Sequence, residues 1–319
     1  MTRRAAIALL GPTGTGKTGI ALRLAEATGA EIISVDSRQA YRGMAVGTAA
    51  PTAAQQERVP HHGVGILEPG ERYGAGRFGR LAREWMDSIR TRGHEPLLVG
   101  GTGFFYRALV QPIFREPELD RERRSRLEAW IEAAEPAMLA EWVRRLDPEL
   151  AARLPVLDPQ RVQRALEVAL LTGRPLTWWQ RRGTPEAEPV ATVPVVLELE
   201  ADEHRRRLRQ RAESMLDGGW KEEVERLLDA GHDRSSIPFR TIGYAAVAEW
   251  LAGGISRDDA LACILRDTWA YARRQRTWFR HQMPADTIRL DAGAEPEVLA
   301  ARIVRAAGGE GPDSRERER

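Results

Sequence analysis

Residues 11–18, Gly11-Pro12-Thr13-Gly14-Thr15-Gly16-Lys17-Thr18, restrict what this chain can fold into more than any other stretch. The apolar run Ala5–Leu10 leads into them, and Ile20, Ala21, Leu24 and Ala25 then recur at helical spacing until Gly29. A strand, a loop of the form Gly-x4-Gly-Lys-Thr and a helix, in that order, make a Walker A pattern in the context that confirms it. Glycines let backbone N–H groups converge on an anion, and the helix contributes the positive end of its dipole. Lys17 adds a mobile charge, and Thr18 offers a hydroxyl to Mg²⁺. The expected ligand is a di- or triphosphate held by Gly11, Pro12, Thr13, Gly14, Thr15, Gly16, Lys17 and Thr18.

The rest of the chain builds an α/β frame around that loop. Glu31-Ile32-Ile33-Ser34-Val35-Asp36 reads as a second buried strand ending in a carboxylate. Leu81–Arg92 reads as a helix, and Pro96-Leu97-Leu98-Val99-Gly100-Gly101 as a third strand entering another glycine turn. Such alternation predicts a parallel sheet with crossover helices, and ligands of such sheets gather beyond the carboxyl ends of the strands. From about Arg115 to Arg182 the pattern is helical only, over 121–134, 136–145, 148–153 and 159–171. Strand character returns at Thr192–Glu200, and helices follow over 202–217, 221–230, 245–251 and 257–282. The expected architecture is a P-loop NTPase-like parallel-sheet core, residues 1–114 and 191–307. An all-helical insertion at 115–190 interrupts it, and a polar, disordered tail at 308–319 follows.

Composition narrows the function. With 319 residues, 42% hydrophobic and 29% charged, the chain can bury an ordinary soluble core. No apolar run approaches the roughly 18 residues of a membrane helix. The start, Met1-Thr2-Arg3-Arg4 and an apolar run, mimics a signal peptide until Gly11-Pro12 breaks it. One cysteine, Cys263, excludes a disulfide framework and a cysteine zinc site, and a reducing cytoplasm is the expected location. A net charge of +2 gives no bulk field for nucleic acid. All but two of the 48 basic residues are arginine, the lysines being Lys17 and Lys221. Arginine clusters therefore carry less weight here, whereas Lys17 sits where arginine was not used.

The reaction is less obvious than the ligand. A P-loop kinase or ATPase holds Mg²⁺ with an aspartate at the end of an apolar strand. The strand at Pro96–Val99 ends instead in Gly100-Gly101-Thr102-Gly103, and the acid follows the second strand, at Asp36. Spacing alone leaves Asp36 either a base acting on an incoming nucleophile, or a strand-end cap or a carboxylate that holds the waters or ligands around magnesium.

Further stretches then accompany the loop in order. They are Val35-Asp36-Ser37-Arg38-Gln39-Ala40-Tyr41-Arg42-Gly43-Met44, Gly47-Thr48-Ala49, Pro60-His61-His62, Pro96–Gly103, Asp158-Pro159-Gln160-Arg161-x-x-Arg164-Ala165-Leu166-Glu167, Arg240-Thr241-Ile242-Gly243-Tyr244 and Arg273-Arg274-Gln275-Arg276-Thr277-Trp278-Phe279-Arg280. In this ordered set the chain resembles the tRNA dimethylallyltransferases up to about Leu290. The resemblance implies transfer of a dimethylallyl group from dimethylallyl diphosphate to N6 of an adenosine. That adenosine lies immediately 3′ of the anticodon in tRNAs reading codons that begin with U. The loop then grips a pyrophosphate leaving group, with Mg²⁺ on Thr18.

The resemblance also assigns roles. Thr13 would address the bridging oxygen, Arg211 and, one turn earlier, Arg207 would reach the diphosphate, and Lys17 would neutralise it. Asp36 would orient N6 and accept its proton, since a carboxylate is ionised at neutral pH. A base in a stacked anticodon loop has to be extruded into a pocket. Ser37, Arg38, Gln39 and Thr102 are the expected contacts of the extruded nucleotide, although a hydroxyl in a glycine turn commonly satisfies its own backbone. Gln160, Arg161 and Arg164, which share a helical face, are expected at the RNA with Val162 and Gln163 between them. Arg124, Arg240, Thr241, Ile242, Gly243, Tyr244, Arg273, Arg274 and Arg280 complete that set. Any single arginine is also readable as a solvated face, and of Trp278 and Phe279 at least one is expected in the core. His61-His62 lacks companion ligands at metal spacing.

Two places depart from the family pattern. His61-His62-Gly63-Val64-Gly65 lacks the acid expected after the histidine pair, and Leu154-Pro155-Val156-Leu157 replaces a more polar approach to Asp158. A monomer with no membrane association is expected. Three rival readings stand: a P-loop small-molecule kinase using ATP, a transferase acting on a free adenine nucleotide, and an RNA-binding protein with a vestigial nucleotide site. The missing strand-end acid disfavours the first, the helical insertion the second, and intact Lys17, Thr18 and Asp36 the third.

Overall fold

The computed structural model describes residues 4–115, 120–153, 158–233 and 236–308. The Leu154–Leu157 departure and the expected tail from residue 309 onward lie outside the described residues. In chain order the first half-core is β1 (Ala6–Leu10), α1 (Lys17–Thr28), β2 (Glu31–Val35), α2 (Ala53–Arg58), β3 (His61–His62), α3 (Ala75–Thr91), β4 (Pro96–Gly100) and α4 (Gly103–Val110). A helical segment follows with α5 (Arg121–Ala133), α6 (Pro136–Leu146), α7 (Pro148–Arg153), α8 (Pro159–Thr172) and α9 (Leu176–Arg182). The chain then returns through β5 (Thr192–Glu198), α10 (Ala201–Asp217), α11 (Trp220–Asp229), α12 (Tyr244–Leu251), α13 (Arg257–Gln282), β6 (Ile288–Asp291) and α14 (Pro296–Ala307).

Six strands form one sheet in the order β3-β2-β4-β1-β5-β6, and every pairing is parallel. The near-continuous apolar runs of β1, β2 and β4 follow from this, because a parallel sheet is covered on both faces. Side chains alternate across it. Ala8, Leu10, Ile33, Val35 and Leu98 pack with Phe78 of α3 and Tyr106 of α4 on one face. Leu9, Ile32, Leu97 and Val195 pack with Leu24 of α1 and Leu299 of α14 on the other. A third cluster, around Met44, Trp220, Tyr244, Val247 and Leu261, joins the segment 40–67 to α10–α13. Gly100 is a point of close approach: a Cβ there would lie 2.1 Å from the Val35 carbonyl oxygen.

The second compact unit spans Gln111–Pro189, where the change in sequence pattern placed it at 115–190. It starts earlier because Phe114 stacks on Trp179 at 5.8 Å and Arg115 N–H donates to the Thr184 carbonyl. Its core is Ile131, Leu139, Val143, Leu150, Val162 and Leu166. The buried Asp147 carboxylate accepts from the Thr177 amide and hydroxyl, tying α9 to the start of α7.

Two strands and four helices are not legible as periodic segments. β3 is two residues long, and β6 is an edge strand of four with one side exposed. The glycine turn after β4 is shorter than expected, since Gly103 already opens α4. The ring of Trp278 occupies the space of its missing side chain, 2.3 Å from where a Cβ would sit.

Candidate active site at the phosphate loop

The loop between β1 and α1 owes its curl to its glycines. Gly14 and Gly16 take φ of +82° and +83°, a left-handed conformation that costs glycine little. The Thr15 hydroxyl donates to the Pro12 carbonyl across the turn. Lys17 Nζ folds back over the loop and donates to the carbonyls of Gly11 at 2.9 Å and Pro12 at 2.7 Å. Burial and the nearby Arg211 guanidinium lower its pKa to about 7, with Asp36 opposing them.

This loop forms one wall of a cavity of about 410 Å³. Thr13, Gly14, Gly16, Lys17 and Thr18 face it, together with Asp36, Ser37, Arg38 and Gln39 beyond β2. Arg211 enters from α10, and Arg240, Thr241 and Ile242 from the turn before α12. Leu208, Met215, Trp220 and Ile264 make an apolar side. The topology explains the convergence. β1 and β2 both end at this edge, separated only by β4, whose own end carries no acid and so leaves the carboxylate to Asp36.

Asp36 serves two structural bonds at once. Its Oδ1 accepts from the Arg38 amide at 2.8 Å and the Gln39 amide at 3.3 Å, so the strand-end-cap reading of this residue holds for that oxygen. The same side chain faces the cavity shared with Lys17 and Arg211. Arg211 Nη2 donates to the Thr48 carbonyl at 3.3 Å, and burial lowers its guanidinium from its ordinary value while Asp36 offsets this. Arg207 is placed differently. Its Nε donates to Glu203 at 2.7 Å and its Nη1 to the Ala292 carbonyl at 3.0 Å. Its Nη1 lies 3.7 Å from where a Gly16 Cβ would sit, beside the phosphate loop but outside the cavity lining, so unlike Arg211 it is held by protein partners away from the expected diphosphate.

The expected acceptor contacts divide. Thr102 Oγ1 accepts from the Ser37 amide at 3.1 Å, so it bridges two turns and does not merely satisfy its own backbone. Gln39 is committed at both ends of its amide, to the Ser34 hydroxyl and the Ala49 carbonyl. Tyr244 and Gly243 are corrections. The Tyr244 ring is fully buried and its hydroxyl donates to Glu223 at 2.7 Å, while Gly243 lies so close to Trp220 that a Cβ would come within 2.1 Å of its ring. Neither presents a side chain to RNA. Val162 is likewise core in the helical unit. Arg124, Gln163 and Arg164 of that unit converge on the buried Glu167 carboxylate, so these three expected RNA contacts are half-buried and engaged by an acid of their own unit. Gln160 and Arg161 are exposed, as are Arg273, Arg274 and Arg280 on α13, and Arg274 also reaches the cavity. Phe279 is core and Trp278 is half-buried against it, which meets the expectation that at least one of the two lies in the core.

Several site residues carry no motif signal of their own. Gln275 accepts from the Thr13 amide at 2.9 Å and donates to the Gly101 carbonyl at 2.8 Å, pinning the phosphate loop to the turn after β4. Its only sequence cue is an uncharged residue within an arginine run. Tyr271 lies one helical turn earlier and faces Thr102, Asp36 and Arg274; burial pushes its hydroxyl up to about 12. Glu223, buried on α11, accepts from the Val46 and Gly47 amides and so shapes the loop that carries Thr48.

Similarity to known proteins agrees with this geometry. A family model described as IPP transferase matches residues 39–282, and one described as isopentenyl transferase matches residues 5–60. A tRNA dimethylallyltransferase of Desulfosudis oleivorans is 39% identical over 88% of this chain and 89% of its own length. Its counterpart from Halorhodospira halophila is 40% identical over 92% and 95%. The solved tRNA isopentenylpyrophosphate transferase of Bacillus halodurans superposes with a TM-score of 0.69 at 31% identity, covering 97% of both chains. A eukaryotic dimethylallyltransferase solved in action on tRNA shares the fold, with a TM-score of 0.82 at 24% identity over 99% of this chain and 82% of its own. With a family model spanning most of its length and relatives near 40% identity, the chain belongs to the IPP transferase family.

Proposed function

We propose that this chain transfers a dimethylallyl group from dimethylallyl diphosphate to the exocyclic N6 of the adenosine 3′ of the anticodon, in tRNAs that read codons beginning with U, and releases diphosphate. The observation that carries this reading is the shared cavity, in which a phosphate loop and an aspartate off the usual magnesium strand face each other. The names of its relatives, tRNA dimethylallyltransferase and tRNA isopentenylpyrophosphate transferase, support tRNA as the acceptor and a five-carbon prenyl group as what is transferred.

Adenine N6 is a weak nucleophile because its lone pair is delocalised into the ring, so the leaving group must do much of the work. In the proposed step the C1–O bond of the donor breaks, a C1–N6 bond forms, and the N6 proton passes to Asp36. The electron pair leaves with the diphosphate. Backbone amides of Gly14–Thr18, with Lys17 and Arg211, stabilise the charge that gathers there, and Thr13 donates near the bridging oxygen. The apolar side at Leu208, Met215, Trp220 and Ile264 suits a five-carbon chain and excludes water from an allylic cation. Magnesium fits the donor set: Thr18 brings a hard hydroxyl oxygen to the cavity, and among the described residues no cluster of three His, Cys, Asp or Glu forms an all-protein cage. Such a site suits an ion bound chiefly through substrate phosphates and water, where it would neutralise diphosphate charge. Exposed Arg161, Arg273, Arg274 and Arg280 are the proposed phosphate contacts for the tRNA.

The deciding experiment is mass spectrometry of tRNA digests after incubation with dimethylallyl diphosphate and Mg²⁺. A mass gain of one dimethylallyl group on the adenosine after the anticodon is expected. Prenylation of free adenine nucleotide in preference to tRNA, or phosphoryl transfer from ATP without prenylation, would replace this reading with a rival.

A further inference from the structure

A buried histidine that no step above uses grips the catalytic loop. His204, on α10, is 1% exposed and its Nε2 lies 2.7 Å from the Thr13 carbonyl oxygen. Its other nitrogen, Nδ1, is 2.9 Å from Nη2 of Arg276 on α13. A guanidinium has only donors, so Nδ1 must be the acceptor. The ring proton therefore sits on Nε2 and is donated to Thr13. The other side of the same residue is held as well, since the Thr13 amide donates to Gln275 at 2.9 Å. Thr13 thus has both backbone groups fixed by buried side chains from α10 and α13, and its side chain is left to the cavity.

The surroundings keep the histidine neutral and in place. Burial, together with the positive charges of Arg276 on α13, Lys17 on α1 and Arg207 on α10, lowers its pKa below the ordinary value. The Trp269 ring meets the imidazole edge-on at 5.6 Å, and the guanidinium of Arg276 lies over that ring. Space is tight. A Cβ on Gly14 would lie 2.5 Å from Leu208 Cδ2 and 3.4 Å from His204 Nε2, so the loop packs against α10 with no slack.

We propose that His204 is a positioning residue, which by holding the Thr13 carbonyl aims the Thr13 hydroxyl at the bridging oxygen of the diphosphate. This inference rests on the donor-site reading above. Charge on that oxygen grows as the C–O bond breaks, so a misaimed hydroxyl costs more in the transition state than in the bound donor. The loss therefore falls on kcat and leaves KM nearly alone.

Two substitutions separate this role from a merely structural one. His204→Gln places an amide nitrogen where Nε2 was and retains the bond to Thr13. His204→Asn keeps an acceptor near the Nδ1 position for Arg276 but cannot reach Thr13. For the full chain assayed with tRNA and dimethylallyl diphosphate, His204→Asn is expected to lower kcat by about 10- to 100-fold, with KM for both substrates within about threefold. His204→Gln is expected to keep kcat within about fivefold of the parent. On a Thr13→Ala background the Asn substitution should cost less than about threefold more, because the group it aims is gone. Equal rates for the two variants, or an undiminished Asn penalty on the Thr13→Ala background, would overturn the inference. A parent protein that prenylates no tRNA would instead remove the functional reading beneath it.

Discussion

Lys17 gives the most direct test of the site's electrostatics, because the chain has only one other lysine, Lys221. Its ammonium is desolvated against the loop and feels the Arg211 guanidinium, and the pKa falls from an ordinary 10.5 to about 7, with Asp36 only partly compensating. At 1.36 kcal/mol per pKa unit, charging Lys17 in the empty loop costs about 5 kcal/mol more than in water. Protein carrying ¹³C-labelled lysine should show two side-chain signals in an NMR pH titration. The Lys17 signal should have its midpoint near pH 7, about tenfold deprotonated by pH 8, and Lys17→Arg identifies it by its loss. Because the folded state disfavours the charged form, the empty protein should gain stability as pH rises from about 7 toward 10.5, where the unfolded chain still holds that proton and the folded one does not. Adding inorganic diphosphate with Mg²⁺ brings negative charge to the ammonium and should move the midpoint upward by more than one pH unit. Binding at pH 8 should then take up at least about 0.4 proton at this site, measurable by calorimetry in buffers of differing ionisation enthalpy, with Lys17→Arg subtracting the ligand's own protons. Both lysine signals titrating together above pH 10, or a midpoint indifferent to diphosphate, would refute the account of a cation made costly by burial and restored by its ligand.

Four further outcomes follow from the geometry. Asp36→Asn keeps the Oδ1 acceptor for the Arg38 and Gln39 amides but removes the base, so it and Asp36→Ala should each lose about 10²- to 10⁴-fold in turnover, with tRNA affinity by filter binding changed less than tenfold. An Asn variant at parental rate would leave Asp36 a cap and nothing more. Gly100→Ala would push a methyl to within 2.1 Å of the Val35 carbonyl oxygen between two central strands, so a loss of more than about 3 kcal/mol in denaturant unfolding is expected. In the helical unit, Glu167→Ala removes the carboxylate shared by Arg124, Gln163 and Arg164 but leaves Arg124 its Glu128 partner, so it should cost that unit about 1 kcal/mol. Arg161→Ala should leave stability within about 0.5 kcal/mol but reduce the salt slope of tRNA binding by about one.

The core of the site was legible because its chemistry is local in sequence. Gly14, Gly16, Lys17 and Thr18 need only the strand before them and the helix after them, and Asp36 lies at the end of an unmistakable apolar strand. The misreadings arise where a residue's partner is distant in sequence. Tyr244 sits in a motif expected at the RNA, yet its hydroxyl is consumed by Glu223, 21 residues earlier. Gln275 looks like a gap in a basic run, and its partner Thr13 lies 262 residues away. His204 stands among arginines with nothing to single it out, because its two partners come from the first loop and the last long helix. Periodicity likewise finds α13 to the residue, since 26 residues carry a stable signal, and misses β3, whose two residues carry none.

The arginines show what sequence can still decide in a chain with so little lysine. Arg207 and Arg211 are one turn apart on the same face of α10, yet only Arg207 has an acid four residues before it, Glu203, and that acid claims it. The residue four before Arg211 is Arg207 itself, so Arg211 finds only the Thr48 carbonyl and stays turned toward the cavity. The same local rule accounts for Arg124 with Glu128, Arg126 with Glu122 and Arg164 with Glu167, all paired within their own helices. Arg273, Arg274 and Arg280 have no Asp or Glu three or four residues away on either side, and all three are exposed. An intrahelical ion pair between exposed groups is worth only about 0.5 kcal/mol, so it adds little to stability. What it does is occupy the guanidinium. In an arginine-rich helix, the absence of a nearby acid is therefore the better guide to which cations remain available for phosphate, and it distinguishes Arg211 from Arg207 where proximity to the loop alone does not.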